Sequence, residues 1–212
     1  MSHFDEIQSC VLGVIKRKKK HIRNFLEFNN FGWEKWLQME MAVALLYKEH
    51  SIELEKRYRY DETTNRPVGK SGFKNCFVDL VLKKKWSKGE YLAGVELKVT
   101  RNLGGLKYVL SDLEKISSIR TKKWEIRTVA GVLVYSLVGK DTKYSKIVEE
   151  LKGIGVAGYR FSKIEIKDIN IGIILIGWER GVVDEMTRDS YKSCLKSIRE
   201  KYKKNNVTVD KC

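Results

Sequence analysis

Apolar residues recur at helical intervals at the start of the chain. Phe4, Ile7, Val11, Ile15, Ile22 and Phe25 form one stripe, which predicts an amphipathic helix over residues 4–26. Lys16, Arg17 and Lys20 fall off that stripe and Lys18 and Lys19 sit at its edges, so the helix presents its basic run to solvent. Asn29, Asn30 and Gly32 break the pattern. A second helix is predicted over 33–49, with Trp33, Trp36, Leu37, Met41, Ala44 and Leu45 on its buried side.

The period then shortens to two. Residues 52–60 alternate well enough for a strand, and 61–72, with Pro67, Gly69 and Gly72, read as a loop. Residues 76–82 and 91–99 are two further strands joined by the polar turn 83–90, an expected hairpin. Leu106, Val109, Leu110, Leu113 and Ile116 define a third helix, and 129–138 is a nearly continuous apolar run of the kind found in a strand covered on both faces. A short helix over 143–152, a buried strand over 171–178 and a closing amphipathic helix over 185–202 complete the pattern. The order helix, strand, strand, strand, helix, strand implies an α/β fold, a mixed central sheet with helices on both sides and extra N- and C-terminal helices. A chain of 212 residues fits a single domain, 1–212.

Strand alternation places Glu96 and Lys98 on one face and Val95, Leu97 and Val99 on the other, which goes to the core. Gly94, beside Glu96, leaves room for a bulky group to approach. Asp79 interrupts an otherwise apolar strand between Phe77 and Val81, where an unpaired charge would cost on the order of several kcal/mol. In a hairpin Asp79 and Glu96 converge, and two adjacent carboxylates repel unless a cation lies between them. Magnesium meets that demand, because it takes oxygen ligands, keeps waters and commonly uses one or two carboxylates together with substrate phosphate. Lys98 would orient or deprotonate the attacking water and offset charge on phosphorus. The competing reading is a structural salt bridge.

Glu40 lies three residues after Leu37 and four before Ala44, inside the second helix's apolar stripe. It is therefore expected to face the sheet as a further metal ligand or a partner of metal-bound water, against the alternative of a hydrogen-bonded core Glu or a residue at the edge of the stripe. Glu165-Ile166-Lys167 and Glu125-Ile126-Arg127 repeat the spacing of Glu96-Leu97-Lys98, but neither has an acidic partner in an apolar strand.

Charge adds the class of partner. The 42 Lys and Arg against 27 Asp and Glu leave a formal charge of +15 and a pI near 9.6, which favours polyanions through counterion release. Lys16, Arg17, Lys18, Lys19 and Lys20 are the candidate nucleic-acid contacts, with a second basic cluster over 192–204; either also reads as a solvated helix face. The basic faces lack the apolar set of an interfacial helix, no apolar run approaches the roughly 20 residues of a membrane span, and the N-terminus is too polar for a signal peptide. A cytoplasmic protein is expected. Cys10, Cys76, Cys194 and Cys212 have no C-x-x-C spacing and only His3, His21 and His50 could join them, which argues against zinc.

An Asp on one strand followed by Glu-x-Lys on the next resembles the PD-(D/E)xK nuclease superfamily; here it reads Val78-Asp79, then Glu96-Leu97-Lys98. The resemblance spans about residues 33–138. It implies a restriction-endonuclease-like αβββαβ core and a magnesium-dependent endonuclease, with manganese able to substitute. Asp79, Glu96 and Lys98 match the catalytic positions, and Glu40 matches the helix glutamate that members often carry. The usual proline before the Asp is Val78, a departure that leaves the ligand in place. A short basic chain is most similar to archaeal Holliday-junction-type resolvases and small nucleases of archaeal spindle-shaped viruses. That likeness implies DNA rather than RNA, branched substrates, a homodimer and, for a viral protein, the host cytoplasm. The alternative from another class is a nucleic-acid-binding protein that keeps the fold without catalysis.

Overall fold

The computed structural model describes residues 2–22, 32–48, 50–60, 74–84, 91–117, 125–138 and 142–179, with 193, 194, 196–198 and 200 near the C-terminus. Its elements are α1 (His3–Arg17), α2 (Trp33–Leu46), β1 (His50–Tyr60), β2 (Lys74–Lys84), β3 (Tyr91–Thr100), α3 (Leu106–Ser117), β4 (Glu125–Ser136), α4 (Thr142–Lys152), β5 (Tyr159–Ile166) and β6 (Ile171–Glu179). The six strands form one mixed sheet in the order β1-β2-β3-β4-β6-β5. β1, β2 and β3 are antiparallel neighbours, β3 and β4 run parallel across the α3 crossover, and β6 pairs antiparallel with both β4 and β5. The fold is α/β, a mixed sheet flanked by helices.

Each face of the sheet carries its own core, because β4 and β6 are apolar on both sides. Phe4, Ile7, Val11, Val14 and Ile15 of α1 and Leu37, Met41 and Leu45 of α2 pack on Val95, Leu97, Val132 and Ile173. On the other face Val109, Leu110 and Leu113 of α3 and Val148 and Leu151 of α4 cover Val81, Val129, Leu133 and Ile174. Burying one such side chain contributes about 1.5–3 kcal/mol, so the two layers hold the central strands. Among the described residues no helix is long and apolar enough to cross a membrane.

Three differences from the expected elements have physical causes. The first helix does not run through to residue 26. It ends at Arg17, Lys18 leaves helical geometry at φ −105° and ψ 20°, and a short helical turn resumes over 19–22. Five successive basic residues repel at helical spacing, and the break sends Lys18 to Glu40 at 2.9 Å and Lys19 to Asp168 on another element. β5 carries too much charge to stand out by pattern, yet it pairs with β6 over its whole length as an edge strand. Gly94 does not open a path for a ligand: a Cβ there would meet Ile116 Cγ2 at 3.2 Å, so the space is taken by α3. The loop over 61–72 and most of the helix over 185–202 lie outside the described residues, while 193, 194 and 196–198 are helical.

Gly131 of β4 is the register partner of Glu96 and lies directly under α3. A Cβ at 131 would lie 2.4 Å from Val109 Cγ1 and 3.0 Å from Leu113 Cδ1. Both neighbours are buried, branched side chains on a packed helix and cannot give way cheaply. Gly131→Ala is expected to destabilise the protein by about 1–3 kcal/mol, read as a lower denaturant midpoint; an unchanged midpoint would show that α3 is not held at this contact.

Candidate active site

The site forms where β2 and β3 part. Their antiparallel pairing runs from Lys83↔Leu92 to Leu80↔Val95 and stops one position short of Asp79 and Glu96. Strand alternation is broken at the same place: Val78 and Val81 both join the core under α3, whereas Leu80 and Leu82 join the core under α1 and α2. On β1, Glu55, between Leu54↔Leu80 and Lys56↔Val78, has φ 48°, an irregularity beside Asp79, and its side chain pairs with Lys35 of α2. The freed backbone groups find new partners. The Leu97 N–H donates to Asp79 Oδ2 at 2.8 Å, and Gln38 Nε2 of α2 donates to the Asp79 carbonyl.

Lys98 lies at the centre. Its Nζ is 3.0 Å from Glu34 Oε1, 3.6 Å from Asp112 Oδ2, 3.7 Å from Glu96 Oε2 and 4.0 Å from Asp79 Oδ2, and it donates to the Leu97 carbonyl at 3.0 Å. Burial alone would lower its pKa, but Glu34, Asp79 and Glu96 outweigh that and raise it above the ordinary lysine range. These carboxylates favour the ammonium form of Lys98, which is suited to donating hydrogen bonds and offsetting negative charge.

Glu96 has the opposite problem. Only 3% exposed, it is pushed up to about 9, first by burial and then by Asp79 and Asp112. Its Oε1 is buried with no hydrogen-bond partner, a condition native structures rarely leave uncompensated. Glu34 is also raised, mainly by burial, while Lys98 and the Val99 N–H act to lower it.

The structure brings together three of the four expected catalytic positions, Asp79, Glu96 and Lys98. Glu40 does not join them. Gln38 and Glu40 are separated by about 200° around the helix, and Gln38, 3% exposed, faces the sheet while Glu40 turns to α1 and pairs with Lys18. The helix carboxylate that reaches Lys98 is Glu34, one turn before Gln38. Gly32, at φ 114°, makes this possible: it starts α2 in the left-handed region that glycine tolerates, and Glu34 falls in the first turn, where the helix dipole favours a carboxylate. Sequence spacing held a signal for this, since positions 34, 38, 41 and 45 share one face. Asp112, on the flank of the α3 stripe and also paired with Lys115 at 2.7 Å, had no such signal.

The expected nucleic-acid run is divided. Lys18 and Lys19 are engaged with Glu40 and Asp168, whereas Lys16, Arg17 and Lys20 are exposed on the outer side of α1. Glu165 pairs with Lys163 at 2.9 Å on β5, away from the cluster.

Among the described residues no group of three or more His, Cys, Asp or Glu is arranged as a metal cage. The carboxylates surround an ammonium rather than converging on one point. Magnesium needs less than a cage, because one or two carboxylates suffice when water and phosphate complete an octahedron. Asp79 and Glu96 are donors of the kind magnesium takes, since both are carboxylates and Glu96 Oε1 is buried without a hydrogen-bond partner. No protein-family profile, curated protein or solved structure matches this chain.

The raised pKa of Glu96 makes stability pH-dependent. Burial and the neighbouring carboxylates push Glu96 up to about 9 in the folded chain, while an unfolded glutamate releases its proton near the ordinary value of 4.5. The proton's contribution to stability is full below the unfolded value and is lost as pH rises through the folded one. Glu96→Gln, a permanently neutral isostere, should gain stability over the native chain as pH rises from 5 to 9 in EDTA; unfolding curves whose separation is constant over that range would refute a neutral Glu96.

Proposed function

We propose that this chain is a magnesium-dependent nuclease of the PD-(D/E)xK kind with a restriction-endonuclease-like core, hydrolysing DNA phosphodiester bonds. The observation that carries the reading is the meeting of Asp79, Glu96 and Lys98 where β2 and β3 part, with one buried carboxylate oxygen lacking a partner. In this reading Asp79 and Glu96 hold the cation, which supplies Lewis acidity and a bound water of lowered pKa. Lys98 orients water toward phosphorus and offsets the developing negative charge. Glu34 and Asp112 hold the ammonium in place, and Gln38 and the Leu97 N–H hold the Asp79 backbone and carboxylate. The sheet order β1-β2-β3-β4 with α2 before it and α3 between β3 and β4 supports this core. Glu40 has no part in it.

A second reading has its own support. Lys98 within 4.0 Å of four carboxylates satisfies much of their charge without metal, as expected of a nucleic-acid-binding protein that keeps the fold without catalysis. Labelled linear, single-stranded and four-way-junction DNA, incubated with magnesium and with EDTA, separates the two. Magnesium-dependent cleavage of any of them supports the nuclease, preference for the junction and cutting in paired strands by a homodimer support the resolvase-like form, and binding without cleavage favours the second reading.

Asp79→Asn and Glu96→Gln preserve side-chain volume and remove ionisable ligands. Each is expected to abolish magnesium-dependent cleavage while leaving DNA binding intact; retained cleavage by both would remove these residues from the site. Lys98→Ala should slow turnover about a hundred- to a thousandfold, as loss of one electrostatic contact to a transition state typically does, with magnesium affinity preserved. Because the carboxylates around Lys98 favour its ammonium form, Lys98→Arg should recover part of the rate. An Arg variant as slow as the Ala variant, at matched metal occupancy, would mean that a proton transfer or the ammonium's compact shape is required.

A further inference from the structure

β1 and β2 continue beyond the site as a two-stranded ribbon. The pairing of β2 with β3 ends at Leu80↔Val95, but β1 and β2 remain paired through Lys56↔Val78, Arg57↔Phe77, Tyr58↔Cys76 and Arg59↔Asn75 to Tyr60↔Lys74. Among the described residues no other strand pairs with this part of either chain segment. The ribbon starts at the cluster, since Val78 is the residue before Asp79. From Asp79 to Lys74 it extends about 17 Å at the rise of a strand, the length of about five base pairs at 3.4 Å each.

Its composition differs from that of the cluster it leaves. Lys56-Arg57-Tyr58-Arg59-Tyr60 and Lys74-Asn75-Cys76-Phe77-Val78 contain basic and aromatic residues and no carboxylate. Arg57 is exposed, and its register partner Phe77 is 57% exposed, unusual for a large apolar side chain two residues from a buried site. Lys56 is already held by Glu53 at 2.7 Å. Basic groups interleaved with aromatics suit a phosphate backbone with bases beside it.

We propose that this ribbon is a binding arm for B-form duplex DNA flanking the cut site, with Arg57 neutralising a phosphate and Phe77 making the apolar contact. The position of the cut rests on the nuclease reading; the binding does not. Charge favours this occupant over a second copy of the chain, which would set like charge against like. Groove shape favours DNA over duplex RNA, because the B-form major groove is about 12 Å wide and admits a two-stranded ribbon, whereas the A-form major groove is deep and narrow.

The test is equilibrium binding of the full-length chain to a labelled 20-base-pair DNA duplex in EDTA across a salt series, with unfolding midpoints as a control for folding. Arg57→Ala should bind severalfold more weakly at low salt, with the slope of log K against log salt shallower by about 1. Arg57→Lys should restore the slope, and Phe77→Ala should weaken binding at an unchanged slope. Native affinity and slope in Arg57→Ala would overturn the proposal, as would equal affinity of the native chain for duplex RNA of the same sequence. EDTA separates the two readings: a native chain that binds duplex through the ribbon but never cleaves loses the nuclease and keeps the arm, and one that cleaves with ribbon variants binding normally loses only the arm. A native chain that binds no duplex loses the arm, and the nuclease reading is then decided by cleavage of the single-stranded and four-way-junction substrates.

Discussion

An ammonium group held among carboxylates at the edge of a hydrophobic core is the constraint on which the site depends. Lys98 is mostly buried and could not remain charged there unpaired, since removing one partner from a buried ion pair leaves the other costing about 3–5 kcal/mol. It is matched in excess. Glu34, Asp79, Glu96 and Asp112 face Lys98 and Lys115, so even after both cations are counted the cluster is acidic. Glu96, the most buried of the four, is raised to about 9, first by burial and then by the charges of Asp79 and Asp112. A site with that excess of carboxylate favours cations in general, and the magnesium reading draws on this charge balance as well as on the distances.

The rest of the fold serves to place these groups. The carboxylates come from four elements, α2, β2, β3 and α3, and no short segment could hold them at these distances without the sheet between the helices. Gly131 lets α3 lie close enough for Asp112 to reach Lys98, and Gly32 starts α2 so that Glu34 arrives over the gap between β2 and β3. The gap itself has a cost. Glu55 adopts a backbone conformation worth about 1–3 kcal/mol of strain, and Asp79 and Leu97 give up ladder partners for side-chain ones. Such local departures, compensated by well-packed surroundings, are common where chemistry is done.

What could be read from the sequence followed the strength of each periodic signal. The β3 alternation is strict, so the shared face of Glu96 and Lys98 and the opposite face of Val95 and Leu97 are legible in the pattern itself. Asp79 stood out because a charge in an apolar strand demands a partner. Helix α2 was harder, because its stripe is broad. Trp36 and Ala44 are only partly buried, and weighting them equally with Leu37 and Met41 rotated the expected buried face toward Glu40 and away from Gln38. Long-range pairing was not legible at all. Nothing local says that Lys18 meets Glu40, that Lys19 meets Asp168 or that Asp112 turns toward the site, because those contacts are made by elements far apart in the chain.

An acidic cluster in a protein of net charge +15 poses a problem of range. Phosphate must approach carboxylates that repel it, and the global excess of Lys and Arg is of limited help once the substrate is near, because at physiological ionic strength charges are screened over about 8 Å. A basic residue assists only if it lies within contact distance of a phosphate while the scissile group is at Asp79 and Glu96. Lys18 and Lys19 fail on other grounds, being neutralised within the fold. This makes location decisive and net charge secondary. The β1–β2 ribbon satisfies the requirement because it starts at Asp79 and leaves directly from it, so that its positive charge begins where the cluster's negative charge ends.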